Sequence, residues 1–398
     1  MTDTLLLDGL SLPVVRPTRV DVLCDEVRRA SAVYPIGGRT QLDYGLPAVK
    51  PGIALDLTAL EGVIDYPARD MTITVQAGIR IAKLQAVLAT EKQRLPIDIS
   101  SPDRATIGGS VAANISGSRR YGAGTLRDYV IGINTVNAEG IETKAGGRVV
   151  KNVAGYDLCK LHTGARGTLG IITQVTLKVR PLPEAQAIGV LGCSGDRLAD
   201  LLDTLHVTRT RPIALDVLNG AAAQKAGLSR QGDWSVLVGF EDSQKAVEWQ
   251  LQQLIKETTT AGFPGLMARA SDACEPLWRS LAELPQGLGT ELTFKANLLP
   301  GKTASFVRSV GEDALIHAHA GSGIVWCHVS PPSADDARVM LEKLNRAAGA
   351  GSVVVTRCPV MWKRSLPLLG MPRSDLALMQ RVKAMLDPCD TFNSGRLF

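Results

Sequence analysis

The protein has 398 residues, of which 45% are hydrophobic and 21% are charged, a composition typical of a globular chain with more than one core. Its net charge of +5 is small for this length and no run of five Lys or Arg residues occurs, which argues against nucleic acid as a partner. The seven cysteines are widely spaced without a C-x-x-C pair, so zinc ribbons and iron–sulfur clusters have no ligand spacing here.

The N-terminal sequence MTDTLLLDGLSLPVVRP contains acidic residues and no basic region of the kind that opens a signal peptide. No apolar run approaches the roughly 20 residues that cross a bilayer. We therefore predict a cytoplasmic protein with reduced cysteines and no transmembrane segment.

The first part of the chain alternates short strands with a few helices. Apolar residues at helical spacing predict helices over 19–32 and 79–92, and alternating or β-branched runs predict strands at 33–36, 53–57, 71–77 and 167–179. Residues 130–144 predict a β-hairpin, because two strand-like runs flank the turn sequence NAEG. These elements indicate an α+β domain.

The Pro-rich stretch RPLPEA at 180–185 is the clearest domain boundary in the sequence. We place a first domain at 1–183, a second α+β domain at 184–373, and a C-terminal helix and tail at 374–398. In the second domain the pattern predicts strands at 187–191, 214–218, 234–240 and 291–298, and helices at 197–205, 242–260 and 334–348.

Two familiar nucleotide-binding motifs fail on spacing. A Walker A loop would need glycine at Ala296, five residues before Gly301, and a Rossmann fingerprint beginning at Gly321 would need glycine at Trp326. The sequence PIGGRTQ at 35–41 is different, because a strand runs into a Gly-Gly turn whose N–H groups can surround an anion. Taken alone, this sequence is also typical of an ordinary hairpin turn.

A second cluster of small residues lies at 105–124, in the sequence ATIGGSVAANISGSRRYGAG. Because the segment has few large side chains, it would make a poor core. Its composition instead favours a backbone surface that lines a flat ring system and phosphates. A close-packed Gly/Ala helix is the alternative explanation.

Taken in order, IGGRT, PDRATIGGSVAANISGSRRYGAGTLRDYVIG, VNAEG and GGRVVKNVAGYDLCKLHTGARGTLGIITQVTLKVRPLP resemble the FAD-linked oxidases of the vanillyl-alcohol-oxidase type. The segment KNVAGYDLCKL and the tail LDPCDTFNSGRLF resemble, more narrowly, the FAD-binding subunits of bacterial glycolate oxidases, with Ser394 where that family usually has proline. The resemblance covers about residues 15–185 and the last dozen residues of the chain. It implies a two-subdomain PCMH-type FAD-binding domain, an α+β cap domain, and a C-terminal tail that returns to the FAD domain.

The resemblance also implies the residues that hold FAD. The diphosphate loop would be Ile36, Gly37, Gly38, Arg39, Thr40 and Gln41. The flavin and ribityl side would be lined by Thr106, Ile107, Gly108, Gly109, Ala112, Asn114 and Gly117. The backbone of Ile171 and Ile172 would lie near the adenine, and Asn393 near the isoalloxazine ring. Residues 35–45 contain neither His nor Cys, so we expect FAD to be non-covalent.

The candidates for catalysis are fewer. His317 and His319 begin a sequence, HAHAGSG, that resembles the H-x-G-D-G-N-x-H metal-binding segment of catalytic D-2-hydroxy-acid dehydrogenases. Ser322, Ile324 and Trp326 replace its aspartate, asparagine and second histidine, so we predict no metal site. Arg279 resembles a family residue near the substrate and is the candidate for binding its carboxylate.

Two functions from different classes remain open. In the first, the chain is the FAD-binding subunit of a glycolate oxidase complex, with a second flavin subunit and an iron–sulfur subunit as partners and the complex peripheral at the inner membrane. In the second, it is a self-sufficient dehydrogenase of a small 2-hydroxy acid, with His317 or His319 as base and Arg279 on the carboxylate. A flavin-free structural subunit is a third hypothesis, against which the intact glycine loops argue.

Overall fold

The computed structural model describes residues 3–147, 156–286, 289–311, 313–371 and 374–397. The KNVAGY motif occupies residues 151–156, and all of it except Tyr156 lies outside the described residues. The chain forms two compact units: the first contains residues 1–115, 125–182 and 372–398, and the second contains residues 116–124 and 183–371.

The elements up to residue 182 are short. The strands are β1 Thr4–Leu7, β2 Leu10–Val15, β3 Val33–Ile36, β4 Ile53–Asp56, β5 Val63–Asp65, β6 Thr72–Gln76, β7 Gln93–Arg94, β8 Val130–Val136, β9 Glu142–Gly146, β10 Ile171–Lys178 and β11 Arg180–Pro181. The helices are α1 Val20–Arg29, α2 Ile81–Ala89, α3 Ile107–Ala113, α4 Arg120–Ala123, α5 Leu126–Tyr129 and α6 Leu158–His162. Of these, α4 belongs to the second unit.

The first subdomain of the first unit is built on the sheet β1-β2-β4-β3. Strands β3 and β4 are parallel, with Val33 opposite Ile53, and α1 connects β2 to β3 along the chain. Leu23 and Val27 are buried on one face of α1 because they are four residues apart, about one helical turn. Both side chains pack in the same core as Val33 of β3, and β3 leads directly into the Gly37-Gly38 turn.

The second subdomain is built on the sheet β5-β6-β10-β8-β9, in which all neighbours are antiparallel. Strand β10 lies at the centre, and the alternating inward residues of β6, β8 and β10 join α2 and α3 in one apolar core. The predicted hairpin is present as β8 and β9, with Val136 opposite Glu142. Helix α3 is therefore held over a sheet, and its position defines one wall of the site described below.

The C-terminal tail belongs to the first unit. Helix α13 spans Leu376–Leu386, and beyond it Phe392 is fully buried and forms a parallel bridge with Val33 of β3. The backbone pair is Asn393 N–H to Val33 O, 3.0 Å, and Val33 N–H to Thr391 O, 2.7 Å. The tail thus extends the first sheet at the strand that leads into the glycine turn.

The second unit contains one antiparallel sheet in the order β15-β12-β14-β13-β17-β18-β16-β19. Its strands are β12 Ala185–Cys193, β13 Ala214–Asn219, β14 Trp234–Asp242, β15 Met267–Ala270, β16 Leu292–Asn297, β17 Leu315–His319, β18 Ile324–Val329 and β19 Ser352–Arg357. Its helices, besides α4, are α7 Leu198–His206, α8 Gly220–Lys225, α9 Gln244–Thr260, α10 Glu275–Glu283, α11 Thr303–Val310 and α12 Ala334–Ala348.

The α+β prediction is confirmed, and the periodicity located most of the longer elements to within two or three residues. The predicted domains treat 1–183 as continuous, whereas the compact units separate residues 116–124 from it. None of the seven cysteines forms a disulfide bond, and six of them are buried. No helix in the described ranges is both long and apolar enough to span a membrane.

Candidate functional site

The two glycine-containing segments meet in the first unit and line one pocket. Its wall includes ten of the predicted cofactor-binding residues: Ile36, Gly37, Gly38, Arg39, Thr40, Gln41, Thr106, Gly109, Ala112 and Asn393. Residues that the sequence reasoning did not single out complete it, among them Tyr44, Ser110, Ala113, Arg166, Thr168 and Arg396.

Close packing between the two segments explains why both residues of the turn are glycine. A Cβ added to Gly37 would lie 2.2 Å from Thr106 Oγ1, and one added to Gly38 would lie 1.8 Å from the Arg104 carbonyl oxygen. Neighbouring protein atoms therefore leave no room for a side chain at either position, so the turn requires glycine whether or not a ligand is bound. This contact brings the residue 37–41 loop beside the start of α3.

Helix α3 presents only some of its small residues to the pocket. Thr106 is its N-cap, and the Thr106 hydroxyl accepts a hydrogen bond from Gly109 N–H at 3.3 Å. Gly108 is buried against Ala77, whose Cβ would lie 2.6 Å from an added methyl, whereas an added methyl on Gly109 meets only Thr106 Oγ1 at 3.2 Å. Gly109 faces the pocket, and Gly108 contributes to the core beneath it.

Two further segments close the pocket around Arg166. The Arg166 N–H donates to the Ala112 carbonyl at the end of α3, and the side-chain amide of Asn393 donates to the Arg166 carbonyl at 2.7 Å. Arg39, Arg166 and Asn393 all have positive φ, between 46° and 57°. Left-handed backbone at non-glycine residues costs about 1 kcal/mol each, and three such residues line this one pocket.

Three arginines contribute positive charge to the wall, and no Asp or Glu of the described residues lines it. Arg396 donates to Asp8 at 2.6 Å and to the carbonyls of Leu42 and Tyr44, so the C-terminal tail holds the loop that follows the glycine turn. Arg39 lies 3.7 Å from Asp56, which also accepts hydrogen bonds from Arg16. Burial raises the pKa of Asp56, but hydrogen bonds from Thr58 and Arg16 outweigh it and hold the pKa below its ordinary value.

Two polar groups of the wall lack the partners that buried groups usually have. The Ser110 hydroxyl is buried and makes no hydrogen bond within the described part of the chain. The Arg166 guanidinium stacks on the Tyr44 ring, 3.1 Å from its centroid, and has no carboxylate partner among the described residues. A buried hydroxyl normally has a hydrogen-bond partner, and a partly buried cation is stabilised by a counter-charge, so both groups fit a wall that receives a polar, anionic ligand.

The remaining predicted cofactor residues lie outside the wall of this pocket. Ile107 is fully buried in the core of the second subdomain, next to Gly108. Ile171 and Ile172 belong to β10, where they lie opposite Val136 and Thr135 of β8. Asn114 is the left-handed C-cap of α3, and Gly117 belongs to the second unit.

The two predicted catalytic histidines lie together in the second unit. His317 Nε2–H and His319 Nδ1–H each donate to a different oxygen of the Asp216 carboxylate at 2.9 Å, and the Ser118 hydroxyl donates to the same carboxylate. His317, His319 and Asp216 are 0%, 2% and 1% exposed. Burial alone raises the pKa of Asp216, but the adjacent imidazoles outweigh it and hold the pKa far below its ordinary value.

Asp216 is the residue that the sequence reasoning missed here, and its place on β13 beside β17 is visible only in the sheet order. The ligand atoms of these three residues lie within 4.8 Å of one another, a spacing that could also hold a metal ion. In this structure Asp216 accepts a hydrogen bond from each imidazole, while the second ring nitrogen of His319, Nε2, is buried without a hydrogen bond to the described residues. Arg279, the predicted carboxylate-binding residue, is 73% exposed on α10 and lies 3.7 Å from Glu275.

The chain resembles known proteins over most of its length. Residues 12–146 match a family described as an FAD binding domain. The glycolate oxidase subunit GlcE of Escherichia coli is 35% identical over 374 residues, which cover 91% of each chain. A D-2-hydroxyglutarate dehydrogenase of Xanthomonas citri pv. viticola is 25% identical over 93% of this chain and 84% of the relative.

A solved structure of alkyldihydroxyacetonephosphate synthase superposes with a TM-score of 0.69 at 15% identity, covering 97% of this chain and 77% of that one. Together with the family match, this likeness confirms the predicted PCMH-type FAD-binding fold. The Gly37-Gly38 turn and α3 both lie within the residues that match the FAD-binding family. The protein belongs to the family of FAD-dependent oxidoreductases that is represented by the glycolate oxidase subunit GlcE.

Proposed function

We propose that the chain is the FAD-binding subunit of a multi-subunit oxidase that converts glycolate to glyoxylate and passes the electrons to a partner subunit. The proposal rests on one contrast within the chain. The pocket of the first unit has a buried Ser110 hydroxyl without a hydrogen bond, and an Arg166 guanidinium without a carboxylate partner, among the described residues. The histidines that would serve as a base are buried and both donate to Asp216.

A general base must come within hydrogen-bond distance of the substrate hydroxyl. His317 and His319 have essentially no exposed surface, and their Asp216-facing nitrogens carry the hydrogen. Arg279 is exposed and lies beside a carboxylate of its own helix. This arrangement supports a cofactor-bearing subunit over the alternative of a self-sufficient 2-hydroxy-acid dehydrogenase.

When bound, FAD supplies a two-electron acceptor for C–H oxidation. The chain's residues hold and orient it: Gly37 and Gly38 form the turn, Arg396 holds the loop that follows, and Asn393 fixes the backbone of Arg166. Glycolate would lose two electrons and two protons to become glyoxylate. Both electrons would then pass from the reduced cofactor to the partner subunit, and the widely spaced cysteines of this chain offer no C-x-x-C ligand spacing for a cluster of its own.

The relatives support this substrate class, since glycolate and D-2-hydroxyglutarate, in the names of the two relatives, are both 2-hydroxy acids. We propose a second flavin subunit and an iron–sulfur subunit as the partners, with the complex associated with the inner membrane.

The test is an anaerobic titration of the purified FAD-loaded chain with glycolate and, separately, D-lactate, followed at the absorbance band of oxidised flavin. We expect the band to persist with the chain alone and to bleach after co-expressed partner subunits are added. Bleaching of the isolated chain by either acid would establish the self-sufficient dehydrogenase instead. An H319Q variant would then show whether the histidine pair takes part, because H319Q should abolish that bleaching while FAD remains bound.

A further inference from the structure

The charge of the pocket wall depends on three arginines, two of which already have carboxylate partners. Arg396 pairs with Asp8 at 2.6 Å, and Arg39 lies 3.7 Å from Asp56 and 3.9 Å from Asp3. Arg166 has no such partner within the described ranges of the chain. The wall of the pocket therefore contains one arginine, Arg166, for which the described residues supply no carboxylate partner.

The environment of Arg166 makes that charge costly without a ligand. Burial lowers the pKa of the Arg166 guanidinium, the Tyr44 side chain partly offsets this effect, and the nearby Arg396 cation lowers the pKa further. A charged group removed from water without a counter-charge is strongly unfavourable. The pocket of the unliganded chain thus holds a cation that an incoming anion would stabilise.

Besides its interaction with the Tyr44 side chain, Arg166 has guanidinium donors that no carboxylate of the described residues occupies. The Tyr44 ring covers one face of the guanidinium at 3.1 Å, and N–H groups of a stacked guanidinium project from its edge, in the plane of the group. The backbone is held on both sides, by Ala112 O and by the Asn393 amide, in a left-handed conformation. Such a fixed fork is suited to two oxygens of one phosphate.

We infer that Arg166 is the charge partner of the FAD diphosphate and makes the pocket selective for a flavin dinucleotide over an uncharged flavin. The isoalloxazine of oxidised FAD is neutral, so the diphosphate is its charged part and the match for an unbalanced cation. The residue 37–41 loop lines the same pocket, and its own arginine, Arg39, already lies near Asp56 and Asp3. This inference rests on the proposed function only in taking FAD to be the ligand.

The test compares R166M, R166K and the wild-type chain after removal of bound flavin. FAD affinity is measured by quenching of flavin fluorescence, and riboflavin and ADP serve as probes that carry only the ring or only the diphosphate. We expect R166M to weaken FAD and ADP about 10- to 100-fold, the range for a charged hydrogen-bonded pair, with riboflavin changed less than about threefold. R166K should recover part of the loss, and the affinity of the wild type should fall more steeply with salt than that of R166M.

The matched control is R104M. Arg104 is an exposed arginine that donates to the Gly38 carbonyl at 3.4 Å but does not line the pocket, so its removal changes the net charge equally and should leave FAD affinity within about threefold. The apo form of R166M should melt within a few degrees of the apo wild type, because the variant removes an unbalanced buried charge. This melt separates a binding effect from misfolding.

Three outcomes would overturn the assignment: equal FAD affinity of R166M and wild type, an equal loss for riboflavin and FAD, or identical salt dependence of the two proteins. If riboflavin or ADP binds too weakly to measure, the salt dependence of FAD binding decides. Failure of the wild-type chain to bind FAD would instead contradict the proposed function, so the two failures are distinguishable.

Discussion

At the scale of single residues, Gly108 and Gly109 are adjacent in α3 but have different surroundings. An added methyl on Gly108 would lie 2.6 Å from the Ala77 side chain and 2.9 Å from its carbonyl oxygen, whereas one on Gly109 would meet only Thr106 Oγ1 at 3.2 Å. Gly109 lines the cofactor pocket and Gly108 does not. Glycine is therefore required at 108 by the core, and at 109 by the space left for a ligand.

We expect G109A to weaken FAD binding at least tenfold while the apo protein keeps its melting temperature, since alanine also favours helix. G108A is the matched variant and should lower the melting temperature by several degrees, because core backbone must shift to admit the methyl. Flavin fluorescence titrations and thermal melts measure both effects. Unchanged FAD affinity in G109A would show that this face of α3 does not contact the cofactor.

The buried Asp216 cluster is expected to stabilise the second unit and not to bind a metal. D216N replaces one carboxylate oxygen with an amide NH2 group, so one of the two imidazole N–H groups faces another donor. We expect this change to lower the free energy of unfolding by about 3 kcal/mol, as for other broken buried pairs. Dialysis against a chelator should leave the wild-type melting temperature unchanged. A lower melting temperature after chelation, with stoichiometric metal found by mass spectrometry, would instead establish Asp216, His317 and His319 as ligands.

At the scale of elements, the C-terminal tail forms part of the first sheet. Phe392 is 0% exposed and packs in the core that contains Leu23 and Val27 of α1. Arg396, four residues later, holds the carbonyls of Leu42 and Tyr44. The same short tail therefore stabilises β3 and positions the loop that lines the cofactor pocket.

We expect F392A to lower the free energy of unfolding by about 3–5 kcal/mol, the usual cost of a large-to-small change in a closed core. M385A on α13 is the matched control, since its side chain is 80% exposed, and it should change stability by less than about 0.5 kcal/mol. Urea unfolding followed by circular dichroism measures both. Equal stability of the two variants would mean that the tail does not belong to the cooperative fold.

At the scale of the whole molecule, stability should fall in mild acid because several ionisable groups are buried in their native protonation states. Burial lowers the pKa of His328 in the second unit to about 4 from the ordinary 6.5. Between these values the unfolded chain binds a proton that the folded chain does not, so stability is intact above pH 6.5 and is lost as the pH falls. Asp56 and Asp216, whose pKa values are depressed, act in the same direction at lower pH.

We expect the His328 contribution alone to reach about 2 kcal/mol of unfolding free energy between pH 7 and pH 5. H328Q cannot titrate and retains a polar group for Thr293, which lies 3.0 Å from His328 Nδ1. Its stability should therefore depend less steeply on pH than that of the wild type over this range. Parallel curves for the two proteins would show that His328 titrates normally in the folded state.

The amino-acid sequence by itself determined the secondary structure and the cofactor class. Val20, Leu23 and Val27 have helical spacing and the NAEG turn joins two strand-like runs, so α1 and the β8–β9 hairpin follow from local periodicity and turn chemistry. The order of the glycine motifs identified an FAD-binding domain, because those backbone positions are constrained by close contacts. Helices, hairpins and glycine motifs depend on residues that are close in the sequence, so the sequence alone is enough to predict them.

Only the tertiary structure decided which residues share a site. Gly108 and Gly109 are indistinguishable in sequence, and helix rotation places one in the core and the other at the pocket. Arg166 is joined to Tyr44 and Asn393 by contacts across more than 100 residues, and Asp216 meets His317 and His319 because β13 pairs with β17. Such contacts depend on sheet order and on the burial of charge, which are properties of the folded chain and leave no periodic signal in the sequence.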